Sequence, residues 1–328
     1  GQACEGGKQR WYTSTLELQL ASLELCRACR GVPTLHVRVQ HETPLSLWSP
    51  PQAHAGVNTR SSEKGRTSSR VPVMRAARLT WSLPVEVLLK RAGTELWAWS
   101  AILNLRGSVD ASVLQSATWP HRIKRLSFDD SDFNQPIDGV LWPSSLQQLS
   151  FGYCFDQPVV GVAWPASLEQ LSLGDAFNRP IAGVVWPNSL QQLSFGYSFD
   201  QPITGVAWPA SLEQLSFGEC FNRPITGVAW PASLTQIKFG FGFNQPITGV
   251  VWPTSLQQLS FGSRFNQPIT GVVWPTSLQQ LSFGSRFNQP IAGIVWPTSL
   301  QELSFGNLFN QPITEVAWPA SLKQLSFG

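Results

Sequence analysis

From residue 119 onward, apolar positions recur on a fixed lattice. Residues 274–295 read WPTSLQQLSFGSRFNQPIAGIV, with large apolar side chains at Leu278, Leu281, Phe283, Phe287 and Ile291. Leu281, Ser282 and Phe283 alternate apolar, polar, apolar, which predicts a short strand with leucine and phenylalanine inward and serine outward. Gly284 ends it. The stretch from Pro290 to Pro297 lacks helical periodicity, and two prolines seven residues apart exclude a helix of ordinary length. Trp296 precedes Pro297, which biases it to extended geometry. Each unit is therefore one short strand followed by an irregular, extended return.

The unit repeats. Trp-Pro occurs ten times, at Trp119, Trp142, Trp164, Trp186, Trp208, Trp230, Trp252, Trp274, Trp296 and Trp318; the first interval is 23 residues and every later one is 22. A fixed period in this range is the signature of a solenoid. One unit cannot fold alone, because burying its few large side chains falls short of the entropy lost in ordering its backbone. Stacking closes that gap, with strands pairing in parallel at ~4.8 Å per rung. Residues 263–284 and 285–306 differ only at Thr270/Ala292, Val272/Ile294 and Gln280/Glu302. Earlier units alternate Asp-Gln (Asp156, Asp200) with Asn-Arg (Asn178, Asn222), the trace of a 44-residue duplication.

The motif FNQPI at Phe265–Ile269 and Phe287–Ile291, with P-x-S-L at Pro275–Leu278, resembles the FNIP repeat, a 22-residue variant of the leucine-rich repeat. Leu256, Leu259 and Phe261 match the L-x-x-L-x-F strand segment of leucine-rich repeats. The resemblance covers 119–328. Departures are the Trp before Pro, Asp156 and Asp200 in place of Asn, and Leu173 in place of the strand Phe. The resemblance implies a leucine-rich-repeat-like fold and protein binding, with no enzymatic activity. The expected fold is thus a beta-rich solenoid, a right-handed coil of about ten 22-residue repeats with a parallel sheet on the concave side and few or no convex helices.

Three columns bear on function. The Asn column (Asn178, Asn222, Asn244, Asn266, Asn288, Asn310) reads as an internal amide ladder that satisfies turn backbone rather than a row of metal ligands. The Trp column reads as a buried hydrophobic corner rather than an exposed stacking row. The outward strand residues, Gln148 to Gln280 with Ser150 to Ser282, form a neutral, amide-rich concave face. Variation lies just past the strand. Tyr153, Asp175, Tyr197, Glu219, Phe241, Ser263, Ser285 and Asn307 share one column, and the next contains Cys154, Cys220, Arg264 and Arg286. Lys238 and Phe241 break the pattern together. The candidate binding residues are Tyr153, Tyr197, Glu219, Lys238, Phe241, Arg264 and Arg286.

Composition divides the chain. All 19 Phe lie at or after Phe128, and residues 1–118 carry net +6 against −3 for 119–328, summing to the chain's +3. The boundary is placed near Trp119: a non-repeat region over 1–118 and the solenoid over 119–328. Residues 50–71 are polar, Ser/Arg-rich and read as disorder. The only Met is Met74, so 1–73 read as disordered or as sequence upstream of a start there. Residues 74–118 read as partly helical, with a helix over 84–91 and the apolar run Leu96–Leu103 covering the first rung as a cap. The first unit is atypical: His121, Arg122, Lys124 and Arg125 precede Asp129, Asp130 and Asp132, as suits a polar terminal coil; the acidic run lacks the spacing of a calcium loop. Cys26 and Cys29 form a lone C-x-x-C with His36 too close for a zinc finger. Cys154 and Cys220 stand three rungs apart, about 14 Å by strand spacing, too far for a disulfide. Reduced thiols fit an intracellular protein. No nucleophile elbow, phosphate loop or metalloprotease motif is present, and one terminal histidine cannot build a triad.

The expected function is therefore non-catalytic: protein recognition or scaffolding through the concave face and variable rim. No cofactor, metal, nucleic acid or membrane span is expected, and the partner is an unknown protein. A carbohydrate surface built on Trp and Gln rows, and an inert spacer, are the alternatives.

Overall fold

The computed structural model describes residues 37–41, 77–81, 102–105, 111–117, 119, 122–128 and 132–328. Its contacts separate Gly1–His36, outside the described residues, from Val37–Gly328. In the second unit, β1 (Val37–His41) pairs antiparallel with β2 (Ala77–Trp81). Then come β3 (Ile102–Asn104), a five-residue helix α1 (Ala111–Gln115) and ten short strands from β4 (Arg125–Ser127) to β13 (Gln324–Phe327). The region expected to be partly helical thus contributes two strands, β2 and β3, besides one short helix; the helix expected over 84–91 lies outside the described residues. So do the polar segment 50–71 and Cys26, Cys29 and His36.

Strands β3 to β13 form one parallel sheet in strict sequence order. Its register is the repeat period written in space: Leu149 faces Leu171, Leu171 faces Leu193, Leu281 faces Leu303. A slip of one residue would turn every buried leucine to solvent, so the period locks the register. The end of the apolar run over 96–103 does more than cover the first rung. As β3 it adds an eleventh strand, with Leu103 opposite Leu126.

The core is a set of single-file columns. Up to Phe305 the strand leucines, the strand phenylalanines, the Phe of FNQPI and its Ile are buried, with Phe155, Phe177, Phe199, Phe221, Phe243, Phe265 and Phe287 wholly so; in the last rung Ile313 and Phe327 are exposed. Ring spacing reports the bend of the array. Successive strand phenylalanines lie 5.4–5.7 Å apart, as in Phe217–Phe239 and Phe261–Phe283. The FNQPI phenylalanines lie 6.0–6.2 Å apart. The tryptophans lie 6.3–6.5 Å apart. Rungs fan out from the sheet toward the Trp corner, which puts the sheet on the concave side.

Three ladders hold rung to rung. In P-x-S-L the serine hydroxyl donates to the leucine carbonyl one rung back, as Ser277 does to Leu256 at 2.6 Å and Ser299 to Leu278 at 2.7 Å. In the Asn column each side-chain oxygen accepts the backbone N–H of the next rung: Asn222 from Asn244, Asn244 from Asn266 and Asn266 from Asn288, each at 2.9 Å. The following Gln donates back to the same Asn, as Gln267 does to Asn244 at 3.1 Å. The ladder therefore satisfies turn backbone, and it lies at the surface rather than inside. Where Asp replaces Asn, Arg replaces Gln one rung on. Arg179 pairs with Asp156 and Arg223 with Asp200, both at 2.9 Å. The 44-residue alternation thus conserves cross-rung pairing. Asn244→Ala is expected to cost about 1–2 kcal/mol, since it strands the Asn266 N–H and leaves Gln267 only its bond to the Asn244 backbone carbonyl; a urea melt followed by circular dichroism checks it.

Each return makes a tight turn with a backbone bond such as Val184 N–H to Ile181 C=O at 3.2 Å. Its third residue is Gly in eight rungs, with φ between 71° and 81°, a left-handed conformation that glycine adopts without steric cost. Glu315 takes that place in the last turn, where Val316 still bonds Ile313 at 3.3 Å.

Candidate interaction surface

The concave face is set by strand alternation. Leu, or Ile237 in one strand, points in, so the residues on either side of it, Gln and Ser in most rungs, point out. Among the described residues, the amides of Gln170, Gln192, Gln214, Gln236, Gln258 and Gln280 hydrogen-bond no other protein group. Gln148 differs, accepting from Arg125. The face forms two shallow open grooves, about 620 Å³ from β3 to β9 (Gln236–Lys238) and about 320 Å³ from β9 to β13. Gln236 and Lys238 line both. Exposed Lys238 therefore stands where the grooves meet, the one cation in a run of serines from Ser150 to Ser326. Unlike the Asn column, whose polar atoms are spent on the next rung, the glutamines from Gln170 to Gln280 keep their side-chain donors and acceptors open.

The rim follows directly. Backbone bonds continue the ladder past the strands: Ala176 donates to Tyr153, Ser198 to Asp175, Cys220 to Tyr197 and Gly242 to Glu219, at 2.7–2.9 Å. The side chains there are held out in register. Tyr153 is 71% exposed, Tyr197 57% and Phe241 42%. Glu219 accepts the Phe241 N–H at 3.1 Å, and Asp175 that of Tyr197 at 3.4 Å. The Arg264 guanidinium lies over the Phe241 ring, 5.0 Å from its centroid, a cation–π contact. The structure thus brings Glu219, Phe241 and Arg264 together, with Lys238 three residues before Phe241 on the same rung. Tyr197 and Tyr153 follow at two-rung steps to one side, and Arg286 lies one rung beyond Arg264 on the other. Asp175 belongs with these residues, though its reading from sequence was only as a column member. Its two-rung alternation with Tyr was the available signal.

The Trp column is turned in. Trp142, Trp186, Trp252, Trp274 and Trp296 are buried, and Trp164, Trp208 and Trp230 half-buried. Nine indole N–H groups, from Trp119 to Trp296, are buried without an acceptor. Trp142, Trp274 and Trp296 lie near-perpendicular to Phe151, Phe283 and Phe305, at 75–80° and 6.4 Å, the arrangement in which an indole edge faces a phenyl ring. Among the described residues, the ten Trp-Pro indoles are thus buried or half-buried rather than laid open as a stacking row.

Cys154 and Cys220 are free thiols. Among the described residues no three His, Cys, Asp or Glu side chains converge as metal ligands, and no helix is long and apolar enough to cross a membrane. His121, Asp129 and Asp130 lie outside the described residues.

Comparison with known proteins follows the same periodicity. The FNIP Repeat model matches nine overlapping windows, from 114–154 to 287–328. The chain is similar to the crystal structure of CroV588, described as a novel circular LRR protein. The TM-score is 0.59 and the identity 31%, over 76% of this chain and 50% of that one, so this chain spans half that protein's length. Pneumococcal vaccine antigen PcpA aligns at a TM-score of 0.18 and 12% identity, over 70% of this chain and 58% of that one, and carries no argument. No curated protein sequence matches.

Proposed function

The chain belongs to the FNIP repeat family, and on that footing we propose that it is a non-catalytic protein-recognition scaffold that binds through its concave face and adjacent rim. Repeat solenoids of the leucine-rich kind generally serve protein interaction. The observation that carries the reading is the contrast between columns. Asn, Asp and P-x-S-L serine side chains are spent on the neighbouring rung, whereas the concave glutamines are left with open hydrogen-bonding groups beside three exposed aromatic rings. Such a surface, polar with a few aromatic and cationic anchors, suits a protein partner. The anchors are Tyr153, Tyr197, Glu219, Lys238, Phe241, Arg264 and Arg286. Free Cys154 and Cys220 support an intracellular site of action. In this proposal residues 1–118 are a non-repeat region and 119–328 the recognition solenoid, with β3 and α1 closing the first rung.

Crosslinking capture with three forms of the chain tests the reading. The Lys238→Ala/Phe241→Ala variant is expected to lose proteins captured by the parent chain, while Val273→Ala/Thr276→Ala, on the outer face, retains them. Equal capture by all three forms contradicts the proposal and favours a spacer.

A further inference from the structure

Along the rim, side chains alternate rung by rung: Tyr153, Asp175, Tyr197, Glu219, Phe241. Aromatic rings therefore recur every second rung with a carboxylate midway. Because backbone hydrogen bonds join these rungs, the column keeps sheet spacing, ~4.8 Å per rung, and the rings repeat at about 9.6 Å. The charge is unopposed locally. Asp156 and Asp200 are neutralised by Arg179 and Arg223, but no described cation pairs with Asp175 or Glu219. The second rim column is uncharged over the same rungs, from Cys154 to Gly242. Arg264, over the ring of Phe241, closes the acidic stretch at its far end.

A ligand that fills this row must present one face every 9.6 Å or so. An extended strand repeats its face at about 6.6–6.8 Å and falls out of step at once. Two turns of α-helix advance about 10.8 Å, an error that grows with each anchor. A polyproline II helix advances about 9.3 Å per three-residue turn and stays in step over three anchors. Its prolines pack on aromatic rings, and residues between them project to the side where the carboxylates sit. Resting on the reading of the rim as a protein-recognition edge, we propose that the row from Tyr153 to Phe241 binds a cationic polyproline II segment. That segment sets proline on Tyr153, Tyr197 and Phe241, and Arg or Lys on Asp175 and Glu219.

The test uses the full chain and fluorescein-labelled peptides in anisotropy titrations: (Pro-Pro-Arg)4, (Pro-Pro-Glu)4, and (Thr-Arg-Thr)4 with the same length and four arginines. Saturable binding of (Pro-Pro-Arg)4, at least tenfold tighter than of either other peptide, is expected. Tyr197→Ala, and separately Tyr153→Ala, should weaken it about tenfold. Asp175→Asn/Glu219→Gln should weaken it at least fivefold and flatten its salt dependence. All these side chains are exposed, and a circular dichroism melt of each variant confirms that it is folded. Absence of saturable binding, equal binding of both arginine peptides, or unchanged affinity in both tyrosine variants overturns the proposal. If (Pro-Pro-Arg)4 fails while Lys238→Ala/Phe241→Ala still abolishes capture of a protein, the rim reads another chemistry and only this proposal falls. If both fail, the recognition reading falls with it.

Discussion

Replacing Gly218 by alanine is expected to destabilise the protein by at least about 3 kcal/mol, among the largest effects of any single methyl group in the chain. Gly218 is one of a column, Gly174 to Gly306, that follows each strand. A Cβ built on it overlaps the Gly196 carbonyl one rung back, and backbone rather than a flexible side chain is what it meets. The same holds at Gly174, Gly196, Gly240, Gly262 and Gly284. Overpacking costs typically 1–3 kcal/mol where side chains can give way; here a rung would have to lift off its neighbour. By contrast, alanine at Gly205 meets no neighbouring atom, and its cost is limited to the left-handed φ of 78°. Urea denaturation of Gly218→Ala and Gly205→Ala side by side checks the ordering. A Gly218→Ala cost no larger than that of Gly205→Ala contradicts the close approach.

Phe221→Ala is expected to cost about 3–5 kcal/mol. Phe221 is fully buried and stacks with Phe217 at 4.2 Å and with Phe199 and Phe243 at 6.0 Å. In a one-dimensional array each rung rests on its neighbours alone, so the lesion is local. The rungs on either side should unfold as two units, and the melt should split into two transitions. A single transition shifted by less than 1 kcal/mol would show that the ring column contributes little.

Much of this architecture was legible because the repeat multiplies every signal. One Leu-Ser-Phe triplet is ambiguous; eight among ten rungs, in step with the repeat period, define strand, face and register. The inward turn of the Trp column followed from its Val and Pro neighbours. Other features needed coordinates. Ile102–Asn104 carries no repeat signature, so its role as an eleventh strand came from the open edge of β4 that it fills. Gly284 read only as a strand terminator, because nothing local reveals that another backbone lies against it. The serine of P-x-S-L has its partner in a carbonyl 21 residues back, which nothing local reveals. The Asp–Arg alternation was visible as a pattern, and its cause, pairing across 23 residues, was not. At the rim, sequence identified the variable columns. It could not show that Phe241, Glu219 and Arg264 converge, which depends on the reach of long side chains between rungs.

The most direct test of rung-on-rung stacking is a spin-label distance between Gln148→Cys and Gln280→Cys, with the native cysteines changed to serine. Six rungs separate these concave positions, which predicts one narrow distribution near 29 Å. A broad distribution, or a mean beyond about 45 Å, would contradict a continuous in-register parallel sheet.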